Sequence, residues 1–157
     1  MMPEIRKYLI PAVFAGLMVF FFAGTFSGYL TLPGPPICTG SALCVNGPVE
    51  RVIDGDTLVV GNITVRLALV STPEIYETGG KEAYNFTSGA CPVGSGALVD
   101  EDDYQTKGSY GRMVAVVYCN NKNLNELLLE KGFGEIYTSF CEKSEFKNKR
   151  WAKRYGC

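Results

Sequence analysis

The chain has 157 residues, with 15 lysines and arginines against 16 aspartates and glutamates, so its formal net charge is −1. A chain this close to neutral has no global positive field to attract nucleic acid or anionic lipid. It also contains no histidine, which excludes every mechanism that relies on imidazole as a base.

The first element in chain order is an apolar segment near the N-terminus. Residues 8–32 carry no charge and are long and apolar enough to cross a bilayer as one helix. Arg6 and Lys7 precede the segment and no basic residue follows until Arg51, so the positive-inside rule predicts a cytoplasmic N-terminus with the rest of the chain outside. A cleaved signal peptide is the alternative. We therefore expect residues 1–32 to be a membrane anchor, or a signal peptide whose removal leaves the domain secreted.

The next segment, residues 33–49, is rich in proline and glycine and lacks periodicity, which is typical of a linker. The folded domain is predicted to span residues 50–157, enough for one compact core. The six cysteines agree with an exported domain, because oxidised pairs persist outside the cytosol. These residues are Cys38, Cys44, Cys91, Cys119, Cys141 and Cys157. Six cysteines allow many disulfide pairings. Structural zinc is the alternative, which the absence of any C-x-x-C pair disfavours.

Within the domain, strand-like runs come first and helices follow. Apolar, β-branched runs predict strands at residues 50–53, 57–60, 63–70, 97–100 and 112–119. A helix is predicted at residues 81–88, a second in NLNELLLEKG with Asn123 as its cap and Gly132 as its end, and a basic amphipathic third at residues 144–156. This order predicts an α+β fold in which about five strands form a small barrel with about three helices.

Charge is unevenly distributed along this domain. The sequence DEDD at residues 100–103 is an acidic run, and six basic residues crowd the C-terminus: Lys143, Lys147, Lys149, Arg150, Lys153 and Arg154. Such runs most often form solvated faces. Contact with a polyanion is the alternative for the basic run.

Several polar residues interrupt otherwise apolar strands. They are Asp54, Asp56, Thr57, Arg66, Thr72, Glu74 and Arg112. An arginine within a half-buried run such as TVRLALV needs an anionic partner, so one interpretation is that both arginines form structural salt bridges with the carboxylates. Taken together, two arginines and three carboxylates are also the groups used in metal-assisted phosphoryl transfer, where carboxylates hold a hard cation and arginines neutralise the phosphate.

Three motifs in this order resemble the staphylococcal nuclease (thermonuclease) family. They are IDGDTLVV, VRLALVSTPE, and YGRMVAVVY followed by NLNELLLEKGFG. The resemblance covers residues 50–137, and the C-terminal residues are similar to the closing helix of archaeal-type members. It implies an OB-type five-stranded barrel with three helices that hydrolyses the phosphodiester backbone of DNA and RNA with calcium. A monomer acting on single-stranded or flexible nucleic acid is expected.

The same resemblance assigns expected roles around the phosphate. Asp56 is expected to be a calcium ligand and Thr72 to offer its backbone carbonyl, while Asp54 lies just beyond the ligands. Arg66 and Arg112 are expected to bind the phosphate.

Four further residues carry expectations with alternatives. Glu74 is the expected general base that orients the attacking water, or else a structural partner of an arginine. Ser71 stands where the family usually has aspartate, and calcium affinity follows the number of charged ligands. We therefore expect either a nuclease with weakened calcium affinity or a barrel that only binds. Tyr110 and Tyr137 are expected to stack on bases, or else to pack within the fold.

The resemblance also implies a set of disulfides. In this fold the fourth strand begins near the end of the fifth, which would join Cys91 to Cys119. Cys141 and Cys157 bracket the last helix and would close it against the body, leaving Cys38 with Cys44. A non-catalytic OB-fold module that binds nucleic acid or a protein partner at the cell surface is the alternative to a nuclease.

Overall fold

The computed structural model describes residues 34–157. The predicted anchor or signal peptide at residues 1–32 lies outside the described residues. Among the residues that are described, no helix combines the length and the apolar character needed to span a bilayer.

Short strands and helices alternate along the described residues. The strands are β1 (Cys44–Val52), β2 (Thr57–Val60), β3 (Ile63–Leu67), β4 (Val70–Ser71), β5 (Gly96–Glu101), β6 (Met113–Cys119), β7 (Lys122–Asn123) and β8 (Glu135–Ile136). The α-helices are α1 (Gly80–Ala90), α2 (Leu124–Glu130) and α3 (Arg150–Tyr155). Two 3₁₀ helices, Thr138–Lys143 and Glu145–Asn148, precede α3.

Five of these strands close into a barrel. Neighbours pair antiparallel in the order β3-β2-β1-β5-β6, and a parallel pairing of β3 with β6 joins the two ends. Closure leaves no long unpaired edge among the barrel strands. β4 and β8 form a separate two-stranded ribbon with Val70 opposite Ile136 and Ser71 opposite Glu135. The predicted α+β fold with a five-stranded barrel is confirmed.

Branched apolar side chains fill the barrel, as expected for residues that pack well on a pleated surface. The largest fully buried ones on the barrel strands include Leu58, Val60, Val65, Leu67, Val99, Val116 and Val117. α2 contacts β6 from outside the barrel, with Leu124 and Leu128 fully buried beneath it. β6 is therefore covered on both faces, which explains why its sequence is apolar throughout.

One buried amide fixes α2 to the barrel. The Asn125 side-chain oxygen accepts the Val117 N–H at 3.1 Å, and its nitrogen donates to the carbonyls of Ala68 at 2.9 Å and Ala115 at 3.3 Å. These bonds satisfy backbone groups of β6 and of the residue that follows β3. At the next position Leu69 adopts a φ of 61° and turns the chain into β4. The single strand predicted at residues 63–70 is therefore two strands.

The predicted continuous helix at residues 144–156 is wrong. Only Arg150–Tyr155 is α-helical, and Lys149 is extended, with φ −66° and ψ 144°. In an unbroken helix Phe146 and Trp151 would point about 140° apart, yet both are buried in the same core. The break at Lys149 lets both rings reach it.

The folded unit begins before the boundary predicted at residue 50, because β1 already starts at Cys44. The acidic run also differs from a solvated face: Asp100, Glu101 and Asp102 are buried. Carboxylates of the run accept backbone N–H groups from the preceding segment: Thr39 to Asp100 at 3.1 Å, Ser41 and Ala42 to Asp103 at 2.9 and 2.7 Å, and Leu43 to Glu101 at 3.0 Å. The proline- and glycine-rich segment is thus attached to β5 by side-chain acceptors.

Three disulfides join the cysteines as the resemblance implied. Cys38 pairs with Cys44, Cys91 with Cys119, and Cys141 with Cys157. The first closes the segment that the acidic run binds, and the last ties the end of α3 to the first 3₁₀ helix.

Asp103→Ala should release the segment that precedes β1. The hydrogen bonds from Ala42 and Ser41 lower the pKa of the Asp103 carboxyl from its ordinary value. A lowered folded-state pKa stabilises the fold above the unfolded-state pKa, and this contribution is lost as the pH falls through the folded-state pKa. At neutral pH we expect the Ser41 and Ala42 amides to exchange faster with solvent deuterium in the variant, after correction for intrinsic rates. In the wild type, the same protection should disappear on acidification.

Glu130→Ala is the matched control, because Glu130 is exposed and its carboxylate contacts Lys131 at 3.3 Å. Its exchange pattern at residues 41 and 42 should equal that of the wild type. Unchanged protection in Asp103→Ala would show that these carboxylate bonds do not hold the segment.

Candidate active site

The Asp-Gly-Asp turn joins β1 to β2 and packs against α1. Asp54 Oδ1 accepts the Asp56 N–H at 3.0 Å, which holds the turn from inside. A Cβ on Gly55 would lie 2.6 Å from both the Ala83 Cβ and the Thr72 Oγ1, so only glycine fits there. The Thr87 hydroxyl of α1 donates to the Gly55 carbonyl at 2.6 Å. Helix α1 and the loop after β4 thus fix the position of the turn that carries both carboxylates.

Asp56 is the centre of the site and is only 5% exposed. Its Oδ1 forms an ion pair with Arg66 Nη1 and accepts the Thr57 hydroxyl at 3.1 Å. Its Oδ2 accepts the Thr72 N–H at 2.7 Å and the Thr72 hydroxyl at 3.1 Å. One carboxylate therefore joins β2, β3 and the loop after β4.

Burial raises the pKa of the Asp56 carboxyl above its ordinary value, and the charge of Asp54 adds to this effect. The charge of Arg66 and the Thr72 N–H act in the opposite direction and lower the pKa. Burial therefore has a larger effect on the pKa of Asp56 than the charge of Arg66. Additional positive charge beside Asp56 would favour its ionised form.

Arg66 lies on β3 opposite Thr57 on β2 and Val114 on β6. Its side chain is 17% exposed, and Nη1 also donates to the Val70 carbonyl at 2.9 Å. The salt-bridge interpretation therefore describes Arg66 in this structure. A guanidinium carries about five N–H donors, so the atoms other than Nη1 remain available to an anion.

Arg112 differs from Arg66 in having no carboxylate partner within residues 34–157. It is half-buried directly before β6, and its Nε donates to the Ser109 carbonyl at 3.1 Å. The preceding turn is tight: a Cβ on Gly108 would lie 2.2 Å from the Arg112 carbonyl. Both terminal nitrogens of Arg112 are thus unpaired within the described part of the chain. Arg112 directly precedes Met113 of β6, which pairs with Val65 of β3, so the two arginines come from neighbouring parts of the barrel.

Glu74 and Ser71 flank the Thr72 loop. The Glu74 side chain is exposed and forms no ion pair among the described residues, so it is not the partner of either arginine. Its backbone is fixed, because the Glu74 N–H donates to Glu77 Oε2 at 2.9 Å and the Glu74 carbonyl accepts the Glu77 N–H at 2.8 Å. Ser71 is half-buried on β4, opposite Glu135.

The two tyrosines occupy different positions. Tyr110 is 99% exposed at the tip of the turn before Arg112, with a φ of 52°. Tyr137 packs on Phe140 with ring centroids 4.7 Å apart, and both line a small cavity of about 50 Å³ together with Arg66. Lys143 Nζ lies 5.1 Å from the centre of the Phe140 ring. The aromatic pair thus shares a cavity with Arg66, and Lys143 lies over one of its two rings. The sequence patterns did not indicate Phe140.

The residues brought together suit a hard cation better than zinc, because every donor at the site is an oxygen. Asp54 and Asp56 carry the carboxylates, Thr72 is hydrogen-bonded to Asp56, and Ser71 directly precedes Thr72 in the chain. Within residues 34–157 no three side chains of histidine, cysteine, aspartate or glutamate are grouped so as to hold a metal ion. The carboxylates therefore fit calcium in kind but are few in number.

Comparisons with known proteins agree with this geometry. A family model described as Staphylococcal nuclease homologue matches residues 64–154. An uncharacterized protein of Bacillus anthracis is 37% identical over 102 residues, which cover 59% of this chain and 47% of the relative. An uncharacterized protein of Methanocaldococcus jannaschii is 31% identical over 134 residues, which cover 65% of this chain and 64% of the relative. Endonuclease YncB of Bacillus subtilis is 32% identical over 114 residues, which cover 66% of this chain and 53% of the relative.

The chain spans roughly half to just under two thirds of the length of these relatives. The family match covers more than half of the chain and includes Arg66, Thr72, Glu74 and Arg112. These residues lie on the closed barrel and its adjoining loops, as the motifs indicated. The chain therefore belongs to the staphylococcal nuclease family.

Proposed function

We propose that this protein is a calcium-dependent nuclease that hydrolyses phosphodiester bonds in DNA or RNA. The observation that carries the proposal is the buried Asp56, joined to Arg66 and Thr72, beside an arginine with no carboxylate partner among the described residues. Family membership supports it, and a relative from Bacillus subtilis is named an endonuclease.

Calcium would be held by Asp56 and the Thr72 carbonyl, with Asp54 and Ser71 close by. Bound there, it would polarise the phosphate and acidify a water molecule. Asp56 Oδ1 already receives Arg66 and the Thr57 hydroxyl, and Oδ2 receives two groups of Thr72. Since these four bonds occupy about all four lone-pair sites of the carboxylate, a cation at Asp56 would displace one of the present donors.

The two arginines would bind the phosphate in different ways. Arg66 is held in place by Asp56 and the Val70 carbonyl, so its remaining N–H groups are preorganised. Arg112 offers a planar fork of donors suited to two phosphate oxygens. Glu74 would orient the attacking water, since its carboxylate is exposed and the chain has no histidine to do so.

We further propose that a single strand of nucleic acid lies along Tyr137, Phe140 and Lys143. Aromatic faces stack on bases of any sequence, and the Lys143 ammonium would contact a neighbouring phosphate. The exposed Tyr110 would add a second stacking surface beside Arg112. The three disulfides support a location outside the cytoplasm, with residues 1–32 as anchor or signal peptide. The domain would act as a monomer.

The function is tested by incubating the full chain with single-stranded DNA and RNA, with calcium and with a chelator. Cleavage should require calcium and stop on chelation. Binding without cleavage at every calcium concentration would instead identify a non-catalytic OB-fold module. The replacement of the family's usual aspartate by Ser71 is the feature that favours this second candidate.

Substitution of the two arginines should separate catalysis from stability. Arg112→Ala should lower kcat/KM about 100-fold, with little change in Tm, because Arg112 has no ion-pair partner among the described residues. Arg66→Ala should lower kcat/KM and also destabilise the fold by about 3 kcal/mol, because it leaves the buried Asp56 without its partner. Steady-state kinetics and thermal unfolding provide both readouts. Equal Tm values for the two variants would contradict the structural role of Arg66.

Lys143→Ala should weaken substrate binding without slowing the chemistry. We expect a KM for single-stranded DNA raised several-fold, an unchanged kcat, and a plot of log affinity against log salt that is shallower by about 0.7. Lys153→Ala is the control, because it removes the same charge from an exposed position on α3. If both variants changed the salt slope equally, the strand would not pass over Phe140 specifically.

A further inference from the structure

Two asparagines of the domain begin an Asn-X-Thr motif. They are Asn62, in the sequence NIT at residues 62–64, and Asn85, in the sequence NFT at residues 85–87. This motif marks acceptors of N-linked glycans in exported proteins, and it combines an asparagine amide with a hydroxyl two residues later. Whether the fold leaves both groups accessible therefore decides which of the two motifs can be used.

Asn62 lies at the tip of the β2–β3 hairpin. Gly61 and Asn62 form its two-residue loop, with φ values of 53° and 69°, and asparagine is among the residues that such a loop favours. The Asn62 side chain is exposed and forms no hydrogen bond within residues 34–157, since only its backbone N–H is bound, to Glu50 Oε1 at 3.1 Å. The side-chain amide of Asn62 is therefore accessible in the folded domain.

The turn explains an asparagine at position 62 but not the threonine that completes the motif. Thr64 lies on β3 opposite Val59 and is half-buried. Val65 beside it is fully buried, so strand alternation directs Thr64 away from the barrel interior. The Thr64 hydroxyl has no hydrogen-bond partner among the described residues and is not a buried unpaired group, so it contacts solvent. Both groups of the first motif are thus accessible.

The Asn85 motif differs because its threonine is part of the fold. Asn85 is exposed on α1, but Thr87 is fully buried. Side chains two residues apart on an α-helix point about 200° apart, so the helix holds the two groups on opposite faces. The Thr87 hydroxyl donates to the Gly55 carbonyl at 2.6 Å and helps to fix the turn that carries Asp56. An enzyme cannot reach this hydroxyl in the folded domain.

Asn62 also lies at the end of the hairpin that is remote from the candidate active site. Asp56 directly precedes β2, and its ion-pair partner Arg66 lies near the end of β3. At about 3.3 Å per residue, about 13 Å of strand separates Asn62 from Arg66. A group attached at the hairpin tip therefore begins well away from the Asp56–Arg66 pair.

We propose that Asn62 is the attachment site of an N-linked glycan and that Asn85 is not modified in the folded domain. The donor is an oligosaccharide joined through its anomeric carbon to a lipid pyrophosphate. The Asn62 amide nitrogen bonds to that carbon, the bond from the carbon to the phosphate oxygen breaks, and the lipid pyrophosphate leaves. The amide gives one proton to a base of the transferase. This inference rests on the proposed location outside the cytoplasm, since the motif is used in exported proteins.

An acceptor assay on the folded full chain tests the proposal. The purified, oxidised chain is incubated with a single-subunit oligosaccharyltransferase and the lipid pyrophosphate donor, and glycopeptides are quantified by mass spectrometry. We expect modification of Asn62 and none of Asn85. In the reduced and alkylated chain both should be modified, because unfolding releases the Thr87 hydroxyl. An unmodified Asn62 in the folded chain, or equal occupancy of the two asparagines there, would overturn the proposal.

Three variants separate the motif from the structure of the turn. Asn62→Gly keeps a residue suited to a positive φ, and Thr64→Val keeps a β-branched residue on β3, so each should abolish modification at the hairpin with little change in Tm. Asn85→Gln is the matched control and should leave the occupancy of Asn62 unchanged. Wild-type occupancy of Asn62 in Thr64→Val would show that the motif is not what the transferase recognises, and the assignment would then fail.

Expression of the full chain in a host that glycosylates exported proteins separates this inference from the proposed location. A glycan on Asn62 of the oxidised chain would support both. An oxidised, exported chain without a glycan would overturn the inference and leave the location intact. A reduced, unmodified chain retained inside the cell would refute the location, and the inference with it.

Discussion

The buried Asp56 carboxylate is the constraint on which both the fold and the site depend. A charge taken out of water is strongly unfavourable unless it is paired and hydrogen-bonded. Thr57, Arg66 and Thr72 satisfy that requirement, and they come from two barrel strands and the loop after β4. The turn that presents Asp56 is in turn fixed by α1. The interactions that stabilise this corner of the barrel are thus the same ones that position the candidate active site.

Local signals predicted most of the barrel and its first two helices. Alternating and continuous apolar runs indicated β2, β5 and β6, and Asn123 caps α2 as its position suggested, by accepting the Glu126 N–H at 3.1 Å. The errors arise where distant residues decide the structure. The segment before β1 is ordered by carboxylates about 60 residues later in the chain, and the C-terminal helix breaks because two aromatic side chains must reach one core.

The residue types of the candidate site could be predicted from the sequence, but which of these side chains pair with each other could not. Carboxylates and arginines inside apolar runs indicated Asp56, Arg66 and Arg112 as candidates from the sequence alone. Which arginine is bound to Asp56, and which lacks a carboxylate partner among the described residues, depends on the register of β2, β3 and β6. Phe140 was missed because it lies on a 3₁₀ helix of six residues, too short for a periodic pattern to reveal. Gly134 allows β8 to lie close to β4, and the sequence could not show this because β4 is distant in the chain.

The distribution of charge is compatible with the proposed anion site on a nearly neutral chain. The acidic run that would repel a polyanion accepts backbone N–H groups of the preceding segment, and Asp100, Glu101 and Asp102 are buried. The Asp56 carboxylate is likewise buried and paired with Arg66. Arg112 is left with unpaired terminal nitrogens among the described residues, and Lys143 lies over Phe140 near the same cavity as Arg66. In the proposed nuclease, attraction for a phosphate would come from the local placement of a few cations, and screening over about a Debye length would confine it to the site.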